Sequence, residues 1–142
     1  MTQEEKDLLL KDLCARLPYG VKVQHQRQDY LEEIQTIEQI TRKYGEIETE
    51  SVLGFVDDFK PYLRPMSSMT EEDNLSLSKY VGCSIRAKYG EIYFPNIEDN
   101  TLGNWEKVFK WLLKNHFDYQ GLIEKGLAIE VTKENNPYET RR

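Results

Sequence analysis

The chain has 142 residues and a formal net charge of −6, with 39% hydrophobic and 31% charged residues; that is the usual size of one domain and too short for two comfortable ones. Its 11% aromatic content argues against disorder, because disordered segments run poor in aromatics. No apolar run approaches the ~18 residues of a membrane helix, and the start Met1-Thr2-Gln3-Glu4-Glu5 is no signal peptide. Cys14 and Cys83 are too few for a disulfide framework or a four-ligand zinc site. A cytoplasmic protein without a membrane partner is expected.

Thr2 to Leu17 predicts a helix. Thr2 and Glu5 form an S/T-x-x-E capping box, and Leu9, Leu10, Leu13, Cys14 and Leu17 recur on one face until Pro18 ends the run. Tyr19-Gly20 then turns into an alternating strand, Val21 to Gln26. Tyr30 to Tyr44 reads two ways. Leu31, Ile34, Ile37 and Ile40 recur every three residues, which suits a helix, whereas the lack of a cap and the sequence that follows suit a strand at its end.

Lys43-Tyr44-Gly45-Glu46-Ile47 recurs as Lys88-Tyr89-Gly90-Glu91-Ile92. Both copies set a glycine, tolerant of positive φ, between β-forming segments. They predict two hairpins, one joining Ile37–Arg42 to Glu46–Val52 and one joining Cys83–Ala87 to Glu91–Phe94. Val52 to Phe55 extends a strand, and Asp57-Asp58 turns it toward Lys60–Pro65, where two prolines favour a polyproline-like stretch. Thr70 and Asp73 open a short helix to about Tyr80. Asn104 is read as the cap of a helix from Trp105 to Asn115, with Trp105, Val108, Phe109, Leu112 and Leu113 as its buried stripe. A turn of helix after Phe117, broken by Gly121 and Gly126, leads to a brief strand from Leu127 to Val131. The tail from Glu134 has no apolar pattern and reads as frayed. The expected architecture is α+β: one domain over residues 1–133 and a flexible tail over 134–142. Within it, an N-terminal helix and a small antiparallel sheet of hairpins are followed by a C-terminal helix packed on one sheet face. A partly closed barrel flanked by helices is the alternative.

Three stretches, Glu4–Val21 (EEKDLLLKDLCARLPYGV), Lys60–Glu72 (KPYLRPMSSMTEE) and His116–Ala128 (HFDYQGLIEKGLA), cover about a third of the chain. They resemble a family of short uncharacterised proteins of gut Bacteroidetes and their mobile elements. The resemblance implies a shared framework and a bacterial cytoplasm, and it transfers no site.

Charge is concentrated. Nine acids lie between Asp29 and Asp58 against Arg42 and Lys43, more negative charge than the whole chain carries net. This section repels backbone phosphates, so direct nucleic-acid binding is not expected. It is either a solvated face or a docking surface for a basic protein partner, with Glu46, Glu48 and Glu50 as the partner-binding acids. Tyr62 and Arg64 are the other partner-binding candidates, alternating on an extended backbone, residue types that anchor interfaces. The competing reading tucks Tyr62 and Leu63 into the core.

No catalytic, cofactor or metal site emerges. His25 and His116 have no ligand cluster around them, and His116 sits at a helix end, where packing or capping suits it. Cys14 falls on an apolar stripe, and Cys83 has no cationic neighbours in sequence that would lower its pKa. Asp57 and Asp58 point to opposite sides of an extended chain, and no phosphate-cradling loop or hydrolase elbow is present. The expected function is that of a non-enzymatic interaction or accessory protein. The alternatives are a small enzyme using carboxylates or Cys83, and an acidic inhibitor that imitates nucleic acid. The sequence assigns no cofactor and fixes no oligomeric state.

Overall fold

The structure, a computed structural model, describes residues 1–26, 34–41, 45–50 and 52–139. In chain order it forms α1 (Gln3–Arg16), β1 (Lys22–His25), β2 (Ile34–Thr41), β3 (Glu46–Thr49), β4 (Leu53–Phe55), β5 (Phe59–Pro65), α2 (Glu71–Val81), β6 (Arg86–Lys88), β7 (Glu91–Tyr93), α3 (Leu102–Lys114), β8 (Phe117–Asp118) and β9 (Ile129–Glu130). The class is α+β, with mostly antiparallel strands. Where the sequence suggests one domain over residues 1–133, the chain divides into two compact units: Met1–Leu63 with Gln120–Arg142, and Arg64–Tyr119.

In the first unit, α1 starts at the expected capping box. Thr2 Oγ1 accepts from Glu5 N–H at 3.1 Å, and Glu5 accepts from Thr2 N–H at 2.9 Å. Those hydrogen bonds from Thr2 hold the Glu5 carboxyl below its ordinary pKa. The strands run in the order β4-β3-β2-β1-β5, each pair antiparallel, and β9 adds in parallel along β5 at Tyr62 and Leu63. Leu9 and Leu13 of α1 meet Val21, Val23, Ile37, Ile47, Phe59 and Leu63 of the sheet, with Leu122 and Leu127 completing the core.

The ambiguous isoleucine spacing resolves in β2. A bulge between Ile37 and Gln39 shifts the register against β3, so that Ile37 faces Thr49 and Ile40 faces Ile47. One extra residue lets Ile37 and Ile40, three apart, both turn toward the core. Tyr30 to Glu33 and, in the turn expected after β2, Arg42 to Tyr44 lie outside the described residues. β4 reaches β5 through a 3-10 turn, Val56–Asp58. At Gly54 the chain passes so close to Phe59 that a Cβ would lie 2.9 Å from the ring. Lys60–Pro65 belongs to a strand, not a polyproline stretch, since its partners on β1 and β9 hold it in ladders.

In the second unit, Thr70 and Asp73 form the expected capping box of α2, and Gly82 closes that helix at φ 94°. The hairpin β6–β7 turns through Tyr89 and Gly90, both at positive φ. α3 starts earlier than expected: Thr101 is its cap, accepting from Asn104 N–H at 3.2 Å. Its buried residues are Val108, Trp111 and Leu112, packed with Leu77 and Val81 of α2 and with Phe117. Phe109, expected in the buried stripe, is exposed on the flank. Phe117 opens a parallel strand beside Arg64 and not a turn of helix.

Candidate interaction surface

The acidic section contributes a distinct piece of surface at one end of the first unit's sheet. On β3, Ile47 and Thr49 turn inward while Glu46 and Glu48 turn outward. The β4 register places Phe55 across from Glu46 and Leu53 across from Glu48, so two carboxylates and two apolar side chains share the outer face. Leu53 is 64% exposed and Phe55 50%. Among the described residues, no ion pair involves Glu46 or Glu48. Glu50 behaves differently, because its carboxylate accepts the Thr36 N–H at 3.1 and 3.2 Å. It serves the β2 backbone.

Asp57 and Asp58 also separate in role. Asp57 pairs with Lys6 at 3.5 Å, and Asp58 Oδ2 accepts the Phe55 N–H at 2.9 Å. Tyr62 is only 5% exposed and Leu63 is fully buried, as in the reading that tucks both inward. Arg64 is held within the second unit, 2.9 Å from Asp73 and with its guanidinium 4.1 Å from the centre of the Phe117 ring. The structure therefore brings Glu46 and Glu48 together on one face and commits Glu50, Tyr62 and Arg64 to internal contacts.

Cys83 is partly buried, 3.9 Å from the Asn104 amide nitrogen. Burial, with Asp99 adding to it, pushes the thiol above its ordinary pKa. Alkylation of Cys83 by iodoacetamide at neutral pH is expected to be slower than that of a free cysteine, followed by mass spectrometry in a Cys14→Ser background; a rate at or above the free thiol's would contradict this. His25 is buried edge-on against Phe59, 4.7 Å between ring centres. His116 takes the left-handed conformation at the end of α3 (φ 64°), and its carbonyl accepts the Arg64 N–H at 2.7 Å. Among the described residues, no group of three or more His, Cys, Asp or Glu is placed to hold a metal ion, and no helix is long and apolar enough to cross a membrane.

One polar cluster escapes sequence reasoning. Asp12 and Arg16, four apart on α1, form a fully buried ion pair at 2.7 Å. Tyr138, in the stretch expected to fray, is tied to the sheet. Its hydroxyl accepts the Lys22 N–H at 2.9 Å and donates to the Tyr62 carbonyl at 2.7 Å. Tyr138 lies within electrostatic reach of both Arg16 and Asp12, and burial raises its phenol well above the ordinary value. The signal available in sequence was an Asp-x-x-x-Arg spacing beside Leu13 and a lone aromatic after Pro137.

A phenol whose folded pKa exceeds its unfolded one stabilises the fold fully below the unfolded value and loses that contribution as pH rises toward the folded one. Stability should therefore fall as pH climbs above the free phenol value of 10.0. Tyr138→Phe should start lower, having lost the hydroxyl's hydrogen bonds to Lys22 and Tyr62, and decline less steeply. Parallel slopes in urea denaturation across that range would rule this out.

No family model, no curated protein and no solved structure matches the chain.

Proposed function

We propose that the protein is a non-enzymatic interaction or accessory protein that presents the outer face of β3 and β4 to a basic protein partner. We also propose that it belongs with the short proteins of gut Bacteroidetes that it resembles and works in the bacterial cytoplasm. One observation carries the docking reading: Leu53 and Phe55, exposed on the last strand of the sheet, stand across from Glu48 and Glu46, whose charges no described cation balances. Apolar area gives such a surface binding energy, and the acids give it partner selection and a salt-sensitive association rate. The raised Cys83 pKa supports a non-enzymatic role over a thiolate nucleophile.

The test is affinity capture from a Bacteroidetes lysate by the wild-type chain and by the double variant Glu46→Gln, Glu48→Gln, with Glu50 kept because it holds Thr36. Basic proteins retained by the wild type, released by salt and lost from the variant are the expected result. Identical retention by both, with the variant newly prone to aggregate, would mean instead that the acids only protect an exposed edge.

A further inference from the structure

β4 is the terminal strand of its sheet among the described residues, and its ladder with β3 fixes which backbone groups turn outward. Thr49 N–H donates to the Val52 carbonyl at 2.9 Å and Val56 N–H to the Gly45 carbonyl at 3.0 Å. Bonded and non-bonded pairs alternate along an antiparallel ladder. The two intervening pairs with outer-face side chains, Glu48 with Leu53 and Glu46 with Phe55, are therefore non-bonded. Leu53 and Phe55 thus aim their N–H and C=O groups away from β3. Asp58 takes the Phe55 N–H, which leaves the Leu53 N–H, the Leu53 C=O and the Phe55 C=O facing outward.

These are the same two residues whose side chains lie exposed beside the acids. We infer that β4 accepts an extended basic segment of the partner by antiparallel strand addition, a step that rests on the docking role proposed for this face. A single residue of the incoming strand satisfies both the N–H and the C=O of Leu53, and in an antiparallel bonded pair its side chain falls on the same outer face. A lysine there lays its aliphatic stem over Leu53 and carries its ammonium toward Glu48. A second copy of the chain is a poor occupant, since a β4 edge paired with its own copy would bring no cation to Glu46 and Glu48.

The probe is an acetylated heptapeptide of alternating lysine and valine, Lys at both ends, titrated into the isotopically labelled full chain. Two isomers carry two backbone N-methyl groups each, one on the two internal lysines and one on two of the three valines. All three have the same charge. The expected result is a perturbed and exchange-protected Leu53 amide with the parent and with the valine-methylated isomer. Binding of the lysine-methylated isomer should be weaker by about tenfold or more, because it loses hydrogen bonds to the edge. Leu53→Pro, which deletes an outward N–H, should weaken the parent more than Leu53→Ala, which keeps that N–H and loses only the side chain, while both leave the rest of the spectrum in place.

Equal binding of all three peptides overturns strand addition, and so does loss on methylating the valines instead. If that equal binding still falls in the Glu46→Gln, Glu48→Gln variant, the acidic docking face stands without the strand pairing. If the parent peptide does not bind at all, strand addition is wrong, and the lysate capture alone decides the docking role.

Discussion

Arg16→Ala is expected to cost about 3–5 kcal/mol, because it leaves the Asp12 carboxylate buried without the guanidinium that faces it. Arg16 and Asp12 are both fully buried and 2.7 Å apart. Their mutual attraction offsets desolvation only while both are present. Replacing the pair with apolar residues of similar size, Asp12→Leu with Arg16→Met, removes both desolvation costs at once and should recover most of the loss. Urea denaturation of the two single variants and the double variant checks this as a cycle. Additive losses would show that the two charges act independently, each through other contacts.

The same pair shows why part of the fold was readable and part was not. Capping boxes act over three residues, so Thr2 with Glu5 and Thr70 with Asp73 announce their helices without reference to the rest of the chain. The Tyr89-Gly90 turn announces the second hairpin for the same reason. An Asp and an Arg four apart look identical on a wet helix face and in a core. What decides between them here is burial that only the tertiary fold supplies, with Tyr138, from the far end of the chain, within electrostatic reach of both charges. The three-residue spacing of Ile34, Ile37 and Ile40 misleads for a related reason: the bulge that accommodates it exists only against β3. The candidate surface was half legible. Charge counting locates the acids, but only the strand order shows that Leu53 and Phe55 end the sheet, and only the register sets them beside Glu46 and Glu48.

In α3 the apolar pattern is wider than the face that can be buried, and the structure decides which part goes inside. The spacing favours a stripe through Trp105, Val108, Phe109, Leu112 and Leu113; the helix does turn Val108 and Leu112 inward, but with Trp111 beside them in place of Phe109, leaving Trp111 3% and Phe109 42% exposed. Trp111 stacks on Phe117 with 5.6 Å between ring centres, and its indole N–H reaches Ser76 at 3.3 Å, so a large ring is enclosed with its polar group satisfied. Trp111→Ala should therefore cost about 3–5 kcal/mol, the usual loss for emptying a site of that size. Phe109 touches Trp105 and Tyr119 from the surface, 5.9 and 5.3 Å between centres. Phe109→Ala forfeits those ring contacts and a partly covered apolar surface, about 1–2 kcal/mol. Circular dichroism in urea measures both without relying on the deleted indole's fluorescence. Phe109→Ala proving as costly as Trp111→Ala would mean that α3 is rotated toward the stripe the sequence favours.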